Sequence, residues 1–344
     1  MMKIEIRYKF ILMTVFGMLS LFAVMGLTSS CNTSEESARQ KEKVTIGVAS
    51  LLSAPLVIAQ EQGFFADEGL EVTFKLYPFG KMALEAVFAG EAAIATVANT
   101  PIVFYSFNRE DFVIFATLAH SYDDCKIIGR KDRGVGRPND LKGKKIGIIA
   151  KTSSHFFAHI YLTEHEIDPS TVELVNLVPK DLTDALKEGR VDAVSAFEPY
   201  AYMAMKALPG KAVKMPGSDL FKETLNLAAM KSYAEEHPET LKKVLKAVTR
   251  SIRYIKQNKK ESQAIMTGWT GIEETQLASI WENFVYALSL DHSLLTVLED
   301  EARWVMDNGF TDKKKIPNYL NFIYLDAMKA VEPKAVSIIH RDNP

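Results

Sequence analysis

Residues 44–97 read VTIGVASLLSAPLVIAQEQGFFADEGLEVTFKLYPFGKMALEAVFAGEAAIATV, and this stretch decides the fold class. Short runs rich in β-branched residues alternate with apolar residues at helical spacing, and glycines end the helical segments. Strands that alternate with helices over short loops indicate parallel βαβ units. The predicted elements are strands at Val44–Val48, Leu70–Leu76 and Ala92–Val97, and helices from Pro55 to about Gly63 and at Lys81–Ala89.

The alternation continues and forms a second series from Cys125 onward. Leu225–Met230 predicts a strand that returns to the first series, and the chain from His237 onward predicts helices. The sequence therefore predicts two α/β halves followed by a helical segment, with hinges at residues 122–126 and 217–225. The other predicted elements are strands at Phe112–Leu118, Cys125–Gly129, Lys145–Ala150, Val172–Leu177 and Val191–Phe197, and helices at Phe156–His165, Leu182–Glu188 and Ala201–Ala207.

The composition is that of an ordinary globular protein without a strongly charged partner. Of the 344 residues, 47% are hydrophobic and 24% are charged, and the formal net charge is -2. This balance gives no reason to expect nucleic acid as a partner. The sequence has neither a metal-ligand spacing of Cys and His nor a nucleophile–base set, which predicts a binding protein with no catalytic residues, metal or cofactor.

The N-terminus predicts export. Three basic residues precede the apolar run Phe10–Leu27, and small residues and Cys31 follow it. A basic segment, an apolar segment and small residues before a cleavage site form a signal peptide. Because the run is nearly long enough to span a bilayer, an uncleaved membrane anchor is the alternative. The basic residues are Lys3, Arg7 and Lys9.

Cys31 and the small residues before it resemble a lipobox, in which the cysteine is acylated and begins the mature chain. The pattern prefers Leu where this chain has Thr28. The resemblance implies a signal peptide at residues 1–30 and attachment to a membrane through the lipid on Cys31, in the periplasm or at the cell surface. Residues 31–43 are polar without an apolar period, which predicts a flexible tether.

Several strings resemble one family in their order and spacing. Over Val44–Gly309 the chain is similar to the nitrate/sulfonate/taurine solute-binding proteins of ABC importers. That group includes the Thi5/NMT1-like binders of thiamine-pyrimidine precursors. The strings are QEQGFFADEGL at 60–70, GEAAIA at 90–95, DLKGKKIG at 140–147, EGRVDA at 188–193 and FEPY at 197–200.

The resemblance implies an α/β, two-lobe periplasmic-binding-protein fold of type II with a C-terminal helical segment. Lobe 1 is expected to hold residues 44–122 and 225–344, and lobe 2 residues 123–224. A monomer would capture a small anionic or zwitterionic organic solute between the lobes and deliver it to an ABC permease and its ATPase. A binder of a thiamine-pyrimidine precursor or related aromatic solute, and a sensory binding module, are the alternatives.

Candidate ligand-binding residues follow the predicted strands. Ligands bind open α/β sheets at the carboxyl ends of strands, where helix N-termini present unpaired N–H groups to anions. The resemblance assigns Lys151–His155 to the anionic group of the ligand, and ordinary helix capping is the alternative. The candidates in these loops are Ser53, Asn99, Thr100, Thr152, Ser153, Ser154, His155, Glu198 and Tyr200.

Acidic residues near the first hinge predict a second, cationic end of the ligand. Asp123, Asp124 and Glu198 would repel nitrate or a bare sulfonate but would favour an amine. Solvated hinge residues and a structural hydrogen bond of Glu198 are the alternatives. Tyr122 and Tyr200 are candidates for stacking on a flat ligand.

Overall fold

The computed structural model of the chain describes residues 41–217 and 219–339. The predicted signal peptide, Cys31 and most of the predicted tether lie outside the described residues. The first strand begins at Glu42, slightly before the expected start at Val44. In the part of the chain that the structure describes, no helix is both long and apolar enough to cross a membrane.

The described residues contain strands and helices in alternation, followed by a helix-rich C-terminal part. The strands are β1 (Glu42–Val48), β2 (Leu70–Leu76), β3 (Ile94–Ala98), β4 (Phe112–Ser121), β5 (Lys126–Arg130), β6 (Lys145–Ile148), β7 (Glu173–Asn176), β8 (Ala193–Ala196), β9 (Ala212–Lys214), β10 (Glu223–Met230) and β11 (Phe284–Ser289). The helices are α1 (Ala54–Glu61), α2 (Phe64–Asp67), α3 (Gly80–Phe88), α4 (Asn99–Ser106), α5 (Ser153–Glu164), α6 (Pro179–Glu188), α7 (Tyr200–Ala207), α8 (Lys231–Glu236), α9 (Pro238–Gln257), α10 (Lys259–Thr270), α11 (Glu274–Trp281), α12 (His292–Asp307) and α13 (Asp326–Val331).

The first sheet has the strand order β11-β4-β10-β3-β1-β2. β1 pairs in parallel with β2 and β3, as the βαβ pattern predicts. β10 lies antiparallel between β3 and β4, so the sheet is mixed. β4 reads FVIFATLAHS and is buried almost throughout. A strand with this burial pattern is covered on both faces of its sheet.

The second sheet has the strand order β7-β6-β8-β5-β9. β6 pairs in parallel with β7 and β8, whereas β5 runs antiparallel to β8 and β9. The chain passes from the first sheet to the second between β4 and β5, and it returns between β9 and β10. These passages coincide with the predicted hinge segments, and the lobe boundaries at residues 122/123 and 224/225 stay a prediction.

The C-terminal part differs from the all-helical expectation in one element. β11 pairs antiparallel with β4 at the edge of the first sheet. Its sequence, FVYALS, is short and stands between helices, and a short apolar run cannot be told from a helix by periodicity alone. The apolar stripe predicted in α9 is buried, and α9 packs against α1, α2 and α13.

Candidate ligand-binding cleft

A small cavity lies in the cleft where strand ends of the two sheets face each other. Its volume is about 30 Å³, which is room for little more than a water molecule. A larger solute therefore requires the cleft to widen. The lining residues come from both sheets and are Ser50, Phe79, Gly80, Lys81, Ala98, Pro101, Asp124, Thr152, Ser153, Phe197, Glu223 and Leu225.

Three helices begin at this cavity. α3 begins at Gly80, α4 at Asn99 between the lining residues Ala98 and Pro101, and α5 at Ser153. The first N–H groups of a helix have no intrahelical acceptor, and they form the positive end of the helix dipole. The convergence of three such ends makes this part of the cleft attractive to an anionic group.

The backbone at the cavity is tightly constrained. A Cβ atom at Gly80 would lie 3.0 Å from the carbonyl oxygen of Thr96, so only glycine lets the start of α3 approach β3 this closely. Ser50 and Lys151, in the loops that follow β1 and β6, have φ angles of 78° and 60°. Such left-handed conformations of non-glycine residues concentrate at ligand-binding sites.

A second cavity adjoins the first and shares Ser50 and Phe197 with it. Its volume is about 230 Å³. It runs between the ends of β1 and β2 on one side and the start of α7 on the other, with Trp269 in its wall. Larger grooves occur elsewhere among the described residues, such as one of about 410 Å³ beside Lys43 and Glu91, but no three helix N-termini converge there.

The start of α5 contributes one hydroxyl group that faces a carboxyl group in the cleft. The Ser153 hydroxyl donates a hydrogen bond to Glu223 Oε1 at 2.6 Å. The hydroxyls of Thr152 and Ser154 donate to backbone carbonyl oxygens at 2.7 and 2.6 Å. Thr152 and Ser154 therefore hold the loop in place, and Ser153 is the hydroxyl that borders the cavity beside a carboxyl group.

His155 lies behind the cavity wall, within a cluster of aromatic rings. Its ring centroid is 5.1 Å from that of Trp304 and 4.9 Å from that of Phe310. Burial, together with the nearby His159, lowers the pKa of His155 to about 4. The imidazole is therefore neutral at pH 7, and its Nδ1 accepts a hydrogen bond from the N–H of Lys151.

The candidates in the loops that follow β1 and β3 are buried in the framework of the site. Asn99 accepts a hydrogen bond from the N–H of Thr224 at 3.1 Å and donates one to Glu301. Thr100 is fully buried next to the same carboxyl group. The hydroxyl of Ser53 donates to a backbone carbonyl oxygen of its own turn at 2.6 Å. These three residues position the loops, and a direct contact with a ligand stays a prediction for each of them.

Glu198 pairs with a buried lysine that the sequence did not single out. Its Oε1 lies 3.1 Å from Nζ of Lys126, and the two side chains are 2% and 7% exposed. The other oxygen of Glu198 accepts a hydrogen bond from the N–H of Tyr202 at 3.1 Å. The geometry therefore corresponds to the structural alternative for Glu198, because its charge is already neutralised.

Asp123 likewise has a cationic partner. Its carboxylate lies 2.7 Å from Nζ of Lys214, which belongs to the second sheet, and accepts a hydrogen bond from Asn283, which precedes β11 of the first sheet. Asp123 thus connects the segment between β4 and β5 to both sheets. Its proposed contact with a ligand would require this ion pair to rearrange.

Asp124, Cys125 and Glu223 form a buried cluster at the cavity. Cys125 donates a hydrogen bond to Glu223 at 3.3 Å. One potential ligand atom from each residue lies within 4.8 Å of the other two, as in a metal site. A metal ion there would have to displace the hydrogen bonds that Ser153 and Cys125 donate to Glu223.

The two carboxyl groups of this cluster ionise with difficulty. Burial raises the pKa of Asp124 well above its usual range, and the neighbouring Glu223 raises it further. Burial also raises the pKa of Glu223, although the hydrogen bonds from Ser153 and Cys125 act in the opposite direction. Of the two, Asp124 therefore takes up a proton more readily, and Glu223 is the member whose carboxylate form is stabilised by hydrogen bonds.

The two candidate tyrosines lie in different environments. Tyr200 lines the larger cavity, and its hydroxyl donates a hydrogen bond to the carbonyl oxygen of Pro78 at 3.4 Å, across the cleft. Tyr122 is 49% exposed and packs edge-on against His120. Tyr200 is thus placed to contact a solute, and Tyr122 lines neither of the two cleft cavities.

The sequence did not indicate Lys126, Glu223, Glu301 or the start of α3 as parts of the site. The α3 loop follows the carboxyl end of β2, and the rule applied to the other loops could have found it. Glu223 stands at the start of a returning antiparallel strand, a position that this rule does not cover. Lys126 and Glu301 are charged residues inside buried elements, and only the folded structure shows their partners.

The sequence of the described core matches one family model. The match covers residues 52–262 and is to the model described as NMT1/THI5 like. The chain belongs to the NMT1/THI5-like family. The matched residues include β2 through β10, and they contain the residues of both sheets that line the first cavity, apart from Ser50.

Two relatives of this chain have names that state the class of solute they bind. A protein of Bacillus subtilis (strain 168) named as an aliphatic sulfonates-binding protein is 26% identical over 78% of this chain and 82% of its own length. The taurine-binding periplasmic protein of Escherichia coli (strain K12) is 26% identical over 61% of this chain and 66% of its own length.

A solved structure has the same fold as this NMT1/THI5-like chain. The periplasmic aliphatic sulphonate binding protein SsuA from Escherichia coli superposes with a TM-score of 0.72 at 19% sequence identity, over 82% of this chain and 92% of that chain. The two-lobe periplasmic-binding-protein fold expected from the sequence is thereby confirmed.

Proposed function

We propose that this chain is the extracytoplasmic solute-binding component of an ABC importer and that it captures a small organic anion or zwitterion in the cleft. The observation on which the proposal rests is the convergence of the N-termini of α3, α4 and α5 on one cavity between the two sheets. These helix ends supply unpaired N–H donors and a positive potential. The relatives named for sulfonate and taurine binding support the same class of solute.

The geometry favours binding over catalysis. Uncharged donors hold an anion reversibly, and the hydroxyl of Ser153 can rotate from Glu223 towards a solute oxygen. Closure of the two lobes around the solute would give the permease and ATPase a distinct closed form to recognise. A monomer suffices for this function, because residues of one chain line the whole cavity.

Replacing Ser153 with Ala should weaken the binding of a sulfonate by about 1 to 3 kcal/mol, because a buried hydrogen-bond donor is lost. Isothermal titration calorimetry with taurine, ethanesulfonate, nitrate and a hydroxymethyl-aminopyrimidine measures the effect and the solute class together. The matched control is Ser232→Ala, since Ser232 is exposed near the start of α8, and it should leave all affinities unchanged.

Binding of the aminopyrimidine alone, with no effect of Ser153→Ala, would overturn the anion site. The thiamine-pyrimidine alternative would then take its place. Binding of both sulfonates, with a weaker Ser153→Ala variant, supports the proposal.

We further propose that Cys31 is lipidated and anchors the protein outside the cytoplasm. Small residues precede Cys31, and an apolar run precedes them. Replacing Cys31 with Ser should abolish incorporation of labelled fatty acid and release the protein from the membrane fraction. If the variant stays unprocessed and membrane-bound, residues 10–27 act as an uncleaved anchor and the lipidation proposal is wrong.

A further inference from the structure

Asp124 and Glu223 present carboxyl groups to the same cavity on which the helix N-termini converge. Both residues line the cavity, and both are buried, at 2% and 5% exposure. Oδ1 of Asp124 receives no hydrogen bond from a donor group among the residues that the structure describes, and the hydrogen bond between the Asp124 and Glu223 carboxyl groups exists only while one of them holds a proton. A buried polar atom without a partner costs free energy unless a ligand satisfies it.

We infer that Asp124 and Glu223 bind a cationic group of the solute, so that the cleft selects an ammonium-bearing organic anion over an anion without an amine. This inference rests on the proposed function, because it assigns a second end to the solute of the same cleft. The helix N-termini receive the anionic group, and the carboxyl pair receives the ammonium group. The Ser153 hydroxyl lies 2.6 Å from Glu223 Oε1. The anion-binding and ammonium-binding parts of the cleft are therefore adjacent, which suits a solute with a short spacer between its two charged groups.

The other acids of this region are already neutralised by lysines. Lys126 pairs with Glu198, Lys214 pairs with Asp123, and Lys81 at the cavity pairs with Glu85 at 3.0 Å. Lys126 also donates to the backbone carbonyl oxygens of Asp123 and Asp124. Its three donors are thus in use, which leaves the carboxyl pair without a dedicated cation.

Several charged or titratable groups surround the pair and set its charge. Lys126 favours ionisation of both carboxyl groups, whereas Glu198 opposes that of Asp124. In the unliganded cleft the pair relieves its repulsion by holding a proton. The groups that act on the pair are Cys125 and Lys126 at the start of β5, Glu198 after β8, Tyr286 in β11 and Glu301 in α12.

An ammonium group can replace this proton. The protonated Asp124 carboxyl loses its proton to solvent, and the resulting carboxylate accepts hydrogen bonds from the ammonium N–H donors. The charge of the site is conserved, because one positive charge leaves and another enters. Low pH therefore favours the proton over the solute, and the preference for an amine should grow as the pH rises while the amine itself stays protonated.

Calorimetric titrations with taurine and with isethionate test the inference. The two sulfonates differ only in that isethionate has a hydroxyl where taurine has an ammonium group. The wild-type protein should bind taurine at least about tenfold more tightly than isethionate at pH 7.5. This ratio should fall at pH 5.5, and a merely structural role of the two acids would not produce that change.

Asp124→Asn and Glu223→Gln should bring the ratio of the two affinities close to one while isethionate binding persists. The matched control is Glu188→Gln, because Glu188 pairs with Arg190 on the surface, and it should keep the wild-type ratio. Thermal unfolding of each variant verifies that it is folded.

If wild-type protein binds both sulfonates with equal affinity, the cation site is refuted and the proposed function stands. If neither sulfonate nor any other anion of the panel binds, the proposed function fails and the inference fails with it. A taurine preference that survives in both Asp124→Asn and Glu223→Gln also overturns the assignment of these two residues.

Discussion

Replacing Lys126 with Met should lower the free energy of unfolding by about 3 to 5 kcal/mol, as expected when one partner of a buried ion pair is removed. Nζ of Lys126 lies 3.1 Å from Glu198, whose side chain is only 2% exposed. Methionine is similar in length but cannot neutralise this carboxylate. Urea denaturation monitored by circular dichroism measures the loss.

The loss should arise mostly from the stranded charge of Glu198. A second substitution, Glu198→Gln, in the Lys126→Met background should therefore recover a large part of it, and a double-mutant cycle gives the coupling energy. The matched control is Lys145→Met, which breaks an exposed pair with Glu173 and should change stability by less than about 1 kcal/mol. A loss below that limit in Lys126→Met would show that water or another group solvates Glu198.

The course of the chain through the two sheets was predictable because local patterns determine it. β1, β2 and β3 each follow or precede a helical segment that ends at glycine, and these signals lie within a few residues of each other. The antiparallel insertion of β10 between β3 and β4 depends on contacts that are distant in sequence. The edge strand β11 was missed because six residues are too few to distinguish helical from strand periodicity.

The candidate site was predictable to the extent that it consists of loops at strand ends. Ser153 and Thr152 line the cavity as that rule expects. The charges of the site were not predictable in the same way. Glu198 and Asp123 are neutralised by Lys126 and Lys214, and nothing in the sequence spacing indicates these pairs. Which acid remains available to a ligand is therefore a property of the folded structure.

Glu301 in α12 is a buried acid that should make the stability of the protein depend on pH. Burial is the largest effect and raises the pKa of Glu301 to about 8, although hydrogen bonds with Thr100 and Asn99 act against it. The folded chain thus holds a proton that the unfolded chain releases near its usual pKa of 4.5. The stabilisation by this proton is complete below pH 4.5 and is lost as the pH rises to about 8.

Replacing Glu301 with Gln should remove this pH dependence, because glutamine keeps the shape of the side chain and has no charge to bury. The free energy of unfolding of the variant, measured relative to that of the wild type, should increase by up to about 4 kcal/mol between pH 4.5 and pH 8.5. Its carbonyl oxygen can accept the hydrogen bond that Asn99 donates to Glu301. Urea denaturation of both proteins from pH 4.5 to 8.5 gives the two stability curves.

Glu299→Gln is the matched control, since Glu299 lies on the same helix and pairs with Arg303 at the surface. Its stability curve should run parallel to that of the wild type. Parallel curves for Glu301→Gln and the wild type would mean that Glu301 is ionised throughout and that its charge is compensated inside the protein. In that case the buried carboxylate would have to draw its stabilisation from Asn99, Thr100 and the N-terminus of α4, which would lessen the positive potential that α4 offers to a solute.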